Sequence, residues 1–551
     1  MDRQGLAPFR IPNLWKDQNP KARLLPVESL AFHPRDIGTL LIGYSEGAAI
    51  YSFKQNTPAK FFRYELQPGA PGGDSDPSPA STFRHPRLTQ ALWHPAGTFI
   101  LTGHEDSSLV FWDVRDGRKV IARTIQATNV DQPGATSGST VTASGTLAVK
   151  EPLFRIAWCS KENPDDTGVL IAGGISTTSL TKGLTFLDLG PAPVYATSSW
   201  QTLSQYFERP KRQHTLPTPP TAEVIDFCLI PRKSPHYAGA YDPIAIIALL
   251  ASGELATLTF PSGHPITPTN QLHVSLTYVH PFVNLLSLAY IERSRWLSML
   301  ESRQRGPLIL RGGSEAKHTT KRFAHRNILQ AAHADGTIRI WDAGHGDEIE
   351  NQDMLQIDVA RTVGRRQDVE IAAMSMSGTT GELAVGLRTG EVAIFRWGRN
   401  PNAGKEVSHV AGKNFGLEPI IDRAEPTVRE GLLPLTLLDQ QQGPVTALKM
   451  SDVGFVVAGF EGGSIAVVDL RGPAMIYDAN LSSFGSNSKH GSFRKSNSQS
   501  QGRQEWPTSL EFGVMSLEGE GEEISAPRIS TMPFPVLKVP IWVLQQKIVR
   551  L

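Results

Sequence analysis

A short phrase returns about seven times along this chain: a tight turn, then a strand that ends in an aromatic residue or an Asp. It reads Glu105-Asp-Ser-Ser-Leu-Val-Phe-Trp-Asp113, Ala334-Asp-Gly-Thr-Ile-Arg-Ile-Trp-Asp342 and Glu461-Gly-Gly-Ser-Ile-Ala-Val-Val-Asp469. Looser copies run Ser45–Phe53, Gly183–Leu189, Ala251–Phe260 and Thr389–Trp397. Each copy joins residues that tolerate a turn to an alternating apolar strand, the local pattern of a β-hairpin.

A preceding half recurs as well. Ser29-Leu-Ala-Phe-His-Pro34 followed by Gly38–Gly43 matches Gln90-Ala-Leu-Trp-His-Pro95 followed by Gly97–Gly103. Proline cannot donate to a ladder, so each His-Pro closes an inner strand. Further inner strands are expected at Leu153–Trp158, Val224–Ile230, Ile371–Met376 and Val445–Met450. Hairpins repeated in one chain form an array, and Trp112-Asp113 and Trp341-Asp342 mark its kind: an all-β chain of WD40-like propeller blades. The two His-Pro turns lie 94 − 33 = 61 residues apart, against about 40–45 for a plain blade. The repeats are therefore divergent, with long connections at Gln67–Ser81, Ala127–Thr146, Arg209–Ala222, Trp397–Gly431 and Leu481–Trp506.

Asp106 and Asp335 are placed to brace their turns through side-chain hydrogen bonds. Asp106, Trp112, Asp113, Asp335, Trp341 and Asp342 are accordingly the structural residues of the blade turns. A regular repeat carries a Gly-His ahead of its inner strand. Here Gly103-His104 sits just before Asp106, a position that places His104 outside any Trp–Asp network. Leu285–Arg303 spaces Leu285, Leu288, Trp296, Met299 and Leu300 at helical intervals, and an amphipathic helix is expected there.

Charge excludes several functions. Lys and Arg total 54 against 53 for Asp and Glu, so no global field draws the chain to nucleic acid or membrane. Met1–Arg10 lacks the apolar core of a secretory signal, and the longest purely apolar run, Ile244–Ala251, is too short to cross a bilayer. A cytoplasmic, soluble chain is expected. Its two cysteines, Cys159 and Cys228, fall in strand-like runs and read as buried thiols, with a disulfide the less favoured alternative.

Longer phrases are more specific. His33-Pro-Arg-Asp-Ile-Gly-Thr-Leu-Leu-Ile-Gly-Tyr44, Pro68-Gly-Ala-Pro-Gly-Gly-Asp74, His104–Asp113, Ile340-Trp-Asp-Ala-Gly-His-Gly-Asp347, Ala384–Val392 and Asp469–Tyr477 resemble the lethal giant larvae (Lgl)/tomosyn family, in its fungal branch of exocytosis regulators. The resemblance implies a double seven-bladed propeller without catalytic residues or cofactors. It also implies partners: plasma-membrane SNAREs of the synaptosome-associated or syntaxin type, a Rab-type GTPase, and further type II myosin and exocyst components. The implied role is docking and fusion of vesicles during polarised exocytosis, with recruitment to the plasma membrane from the cytoplasm. Family members are about twice as long, so a partial chain is expected. Residues 1–350 would then be blades of the first propeller, 351–526 the first blades of a second with a Ser-rich loop at 481–506, and 527–551 an atypical tail. A generic interaction platform, for example within a ubiquitin ligase, is the alternative that propeller shape alone permits. A propeller enzyme would need channel carboxylates or a metal set, and the inner strands carry few charges.

Two regulatory candidates stand out. Ser492-Phe-Arg-Lys-Ser496 sets Ser492 and Ser496 beside basic residues, where phosphate would add about −1.5 to −2 charges each; a solvated insert is the plain alternative. Arg311, Lys317, Lys321, Arg322 and Arg326 form a local basic patch that could meet acidic lipid or an acidic SNARE face, or simply be a solvated loop. Gly69–Asp74 lacks the Lys-Ser/Thr and helix of a phosphate loop. The fifteen histidines show no zinc spacing; His33 and His94 belong to strand-ending turns.

Overall fold

The computed structural model describes residues 9–10, 27–55, 57–73, 82–135, 149–163, 165–179, 181–218, 222–232, 241–264, 282–303, 325–344, 353–365, 369–405, 416–481, 505–512 and 541–547. The turn signals become hairpins that assemble into eight sheets in chain order. Blade 1 comprises Val27–His33, Asp36–Tyr44, Gly47–Ser52 and Thr57–Phe62. Blade 2 comprises Leu88–Trp93, Phe99–His104, Leu109–Asp113 and Lys119–Arg123. Blade 3 follows with Leu153–Ser160, Asp166–Gly173, Gly183–Pro191 and Arg212–Pro217. Blade 4 shows three strands among the described residues, Val224–Pro231, Pro243–Leu250 and Leu255–Thr259.

Blade 5 is built of Val283–Glu292, His325–His333, Thr337–Asp342 and Leu355–Asp358. Blade 6 orders Ile371–Met376, Leu383–Leu387, Glu391–Arg399 and Val428–Asp439, and both Ser302–Arg303 and Gly416–Pro419 pair with its outer strand. Blade 7 is Val445–Met450, Phe455–Phe460, Ser464–Asp469 and Ala474–Asn480. In the last sheet Glu505–Phe512 pairs antiparallel with Ile541–Lys547, which pairs parallel with Phe9–Arg10. These are the β-propeller blades that the repeat predicts, and the inner strands read from the sequence lie where expected.

Successive first strands touch one another from blade 1 to blade 7, and the last sheet touches both blade 7 and blade 1. Each blade is thus sandwiched between neighbours, which explains why whole middle strands, such as Phe99–His104 and Leu383–Leu387, are buried on both faces. Burying apolar surface on both faces is the main stabilising term of such a ring. One hydrophobic core runs from Ala289 in blade 5 to Leu437 in blade 6.

Three expectations need correction. Leu285–Arg303 is not one helix: Val283–Glu292 is the inner strand of blade 5, and only Arg293–Leu297 turns helical. The apolar residues there satisfy both periods, and pairing with His325–His333 favours the strand. Two supposed connections contain strands, Arg212–Pro217 and Gly416–Pro419. Helix α1, Trp200–Glu208, was also not foreseen; the Ser199 side chain caps it by accepting from Thr202 N–H, and Leu203 and Phe207 face the core.

Both cysteines are free and buried. Burial raises both thiols, Cys228 to about 11, which keeps them protonated and unreactive. Among the described residues no helix is long and apolar enough to cross a membrane.

Candidate interaction site

Blade 2 carries the most developed turn. Asp106 Oδ1 accepts from Ser108 N–H at 3.0 Å, and Oδ2 accepts from Ser108 Oγ at 2.8 Å. These bonds hold Ser107 at φ 65°, a left-handed conformation that a non-glycine residue adopts at a cost. Asp113 Oδ1 accepts from Arg115 N–H at 2.7 Å and so closes the next turn.

Trp112 donates its indole N–H to Thr102 Oγ1 at 2.9 Å, and Thr102 Oγ1 lies 3.0 Å from His104 Nε2. His104 Nδ1 lies 3.0 Å from the Pro86 carbonyl. A carbonyl only accepts, so Nδ1 carries the proton and Nε2 accepts from Thr102. The relay Trp112–Thr102–His104–Pro86 is therefore complete, and His104 belongs to it. His104 thus reaches Trp112 through Thr102 from the end of the second strand, and its other ring nitrogen meets the Pro86 carbonyl in place of a turn Asp.

The Pro68–Gly73 loop is clamped onto this turn. Gly73 N–H donates to Asp106 Oδ2 at 3.0 Å, Gly72 N–H to the Val130 carbonyl at 2.8 Å, and Lys150 Nζ to the Gly73 carbonyl at 3.0 Å. A Cβ at Gly73 would lie 2.0 Å from the Asp106 carbonyl oxygen, so glycine is required for this approach. Both N–H groups are already committed to protein acceptors, which agrees with rejecting a phosphate loop.

In blade 5 Asp335 Oδ1 accepts from Thr337 N–H at 2.9 Å and Thr337 Oγ1 at 2.7 Å. Asp342 Oδ1 accepts from Gly344 N–H at 2.8 Å, and its Oδ2 accepts from Arg326 Nε at 3.0 Å and Nη2 at 2.8 Å. Trp341 is buried beside them. Arg326 and Asp342 side chains have 0% exposure, so Arg326 is no part of a surface basic patch. It is an interior ion pair, because its place in the His325–His333 strand turns it into the blade. Arg311, Lys317, Lys321, Arg322, Ser492 and Ser496 lie outside the described residues.

The seams between blades are also specific. His33 in blade 1 packs edge-to-face on Trp93 of blade 2, 4.7 Å between centroids, and Trp93 donates its indole N–H to the Ala31 carbonyl at 2.9 Å. His94 of blade 2 meets Trp158 of blade 3 in the same way. Both His-Pro turns are therefore structural, as their sequence position implies.

A cleft of about 690 Å³ opens between the inner strands of blades 5, 6 and 7 and Glu505–Phe512. Its charged groups tie strands together: Lys449 pairs with Glu511 at 2.9 Å, and Asp452 Oδ1 accepts from Gly378 N–H at 2.8 Å. Among the described residues no three His, Cys, Asp or Glu side chains are grouped to hold a metal. Among the described residues, the rim loops and this cleft set no nucleophile beside a base.

Comparison with known proteins places these features. The family model for the C-terminal region of lethal giant larvae (Lgl)-like proteins matches residues 368–528, and the WD domain, G-beta repeat model matches residues 78–113. A Saccharomyces cerevisiae protein named lethal(2) giant larvae protein homolog SRO77 is 33% identical over 494 residues, covering 87% of this chain and 48% of that protein. A Schizosaccharomyces pombe protein is 24% identical over 502 residues, covering 88% and 48%. Lethal(2) giant larvae protein homolog 1 of Rattus norvegicus is 25% identical over 330 residues, covering 58% and 26%. The chain spans about half the length of the yeast relatives it matches.

Proposed function

Because the chain belongs to the lethal giant larvae family, we propose that it is a non-enzymatic scaffold that binds a plasma-membrane SNARE and a Rab-type GTPase and so regulates vesicle docking in polarised exocytosis. The observation that carries this reading is the 33% identity to a named Lgl homolog along 87% of the chain. The geometry supports it in kind. A ring of blades offers its rim loops to other proteins, and the turn residues Asp106, Asp113, Asp335 and Asp342 hold those loops in place.

The mechanism would be competition for a surface: a groove holds the SNARE segment while the GTPase alters access to it. Type II myosin and exocyst components would join the same platform, and the chain would reach the plasma membrane through its partners. Pull-down of a purified syntaxin-type or synaptosome-associated-type SNARE by the folded protein, with and without a GTP-loaded Rab, tests this directly. Retention that the GTPase shifts is the expected result. No retention of either SNARE by protein with a cooperative melting transition would overturn it.

A further inference from the structure

Among the described residues, the outermost strand of blade 3, Arg212–Pro217, pairs on one side only, with Gly183–Asp188. Thr218 N–H donates to the Lys182 carbonyl at 3.1 Å, which fixes the phase of this antiparallel ladder. Hydrogen-bonded pairs alternate, so Arg212, His214 and Leu216 turn their backbone groups inward, and Gln213, Thr215 and Pro217 turn theirs outward. Pro217 has no N–H, so the edge offers the amides of Gln213 and Thr215 and three carbonyls.

Three cations lie at the start of this edge. Arg209, Lys211 and Arg212 are exposed, and none forms an ion pair among the described residues. Two nearby carboxylates are already engaged, since Lys161 holds Asp188 at 2.7 Å and Asp166 at 3.0 Å, which leaves Glu208 beside three cations. Several other outer strands are engaged by neighbouring segments, while Leu255–Thr259 of blade 4 and Ala474–Asn480 of blade 7 also pair on one side only among the described residues. Helix α1 packs on Lys119–Arg123 of blade 2, Ser302–Arg303 and Gly416–Pro419 pair with the outer strand of blade 6, and Glu301 accepts from Gln356 N–H in blade 5. In blade 1 Lys60 turns back onto the carbonyls of Val114 and Arg115.

We propose that the outer edge of blade 3 captures an extended acidic segment of a partner protein by strand addition, with Gln213 and Thr215 supplying the ladder and Arg209, Lys211 and Arg212 supplying the charge. An added strand takes its affinity from main-chain hydrogen bonds. Its sign preference comes from the unneutralised cations, which also speed encounter. The occupant is an extended acidic chain and not a SNARE helix, so this inference stands apart from the scaffold reading.

The test uses the full chain and a fluorescein-labelled octapeptide of alternating Glu and Val, read by fluorescence anisotropy at low and physiological salt. A Lys–Val octapeptide serves as the control. Two variants separate charge from pairing. Arg209→Glu/Lys211→Glu/Arg212→Glu reverses the charge. Thr215→Pro removes an outward N–H and is tolerated on an edge strand. The expected result is salt-dependent binding of the Glu–Val peptide, at least tenfold weaker in each variant, with unchanged melting and unchanged SNARE retention. The proposal is overturned if the wild type ignores the Glu–Val peptide, which would leave an edge kept soluble by charge only. It is equally overturned if Thr215→Pro binds normally, or if anionic vesicles or an oligonucleotide compete as well as the peptide; any of these reduces the strip to a non-specific anion surface.

Discussion

His94 stands edge-to-face on Trp158 across the seam between blades 2 and 3, with ring centroids 4.8 Å apart and both side chains about 1% exposed. The same contact joins His33 to Trp93 one seam earlier, so the His-Pro turn of one blade is keyed into the inner strand of the next. Trp158→Ala empties a space that Phe99, Phe111 and Phe207 cannot all collapse into. A loss of about 3–5 kcal/mol is expected from the urea midpoint. A double-mutant cycle with His94→Ala should return a coupling of about 0.5–1.5 kcal/mol, the range for aromatic pairs. Additive losses would mean that the seam is held by burial without a specific ring contact.

The same histidine makes stability depend on pH. Burial pushes the His94 imidazole down to about 3, and burial also lowers His33 and His104. In the unfolded chain a histidine titrates near 6.5. Below that pH the unfolded state binds the proton and the folded state does not, so stability falls as pH drops from 6.5 towards 3 and is level above 7. The slope contributed by His94 approaches about 1.4 kcal/mol per pH unit. Denaturation of wild type and His94→Phe at pH 7, 6 and 5 checks this: the variant should start less stable and lose less on acidification. Parallel curves would exclude His94 as a source of the slope.

What the sequence made legible follows a physical divide. Turns written in Asp, Gly and Ser, such as Asp106–Ser108 and Asp335–Thr337, carry their conformation locally, so their hairpins could be read directly. Inner strands closed by Pro, at His33-Pro34 and His94-Pro95, were equally local. Arg212–Pro217 was not, because an edge strand with one buried residue, Leu216, has no apolar alternation to display. Leu285–Arg303 was misread because Leu285, Leu288 and Trp296 satisfy a helical spacing, while pairing with His325–His333 is a non-local fact. The position of His104 was read as lying outside a Trp–Asp network, and it bonds no Asp; its link to Trp112 runs through Thr102, two residues earlier, a side-chain contact that the regular repeat does not suggest. Arg326 looked like the end of a basic run, and only the partner strand bearing Asp342 shows that it points inward.

Two glycines with similar backbone angles should respond very differently to alanine. Gly97 has φ 75° and Gly134 has φ 80°, so each substitution carries the left-handed penalty of about 1 kcal/mol. Around Gly134 a new Cβ meets nothing within 4 Å, whereas at Gly97 it would lie 2.1 Å from His33 Nε2. Gly97→Ala must therefore also push His33 off Trp93 and off the Gly97 carbonyl, which it meets at 3.3 Å. Thermal melting should show a loss of about 1 kcal/mol for Gly134→Ala and a clearly larger one for Gly97→Ala. Equal losses would show that the His33 ring moves aside without cost.

The buried pair Arg326–Asp342 separates an interior role from a surface one. Were Arg326 a member of an exposed basic patch, Arg326→Met would leave stability within about 0.5 kcal/mol. Inside the blade, Asp342→Ala removes the carboxylate that accepts from both Arg326 Nε and Nη2 and also frees Gly344 N–H, which Asp342 Oδ1 holds at 2.8 Å. A loss of about 3–5 kcal/mol is expected for that single change. Replacing both partners by apolar residues, Arg326→Met with Asp342→Leu, removes the desolvation penalty together with the attraction, so the double variant should be more stable than Asp342→Ala alone. Chemical denaturation of the three proteins decides the matter. A double variant no better than Asp342→Ala would place the importance of Asp342 in the turn at Gly344, and not in its pairing with Arg326.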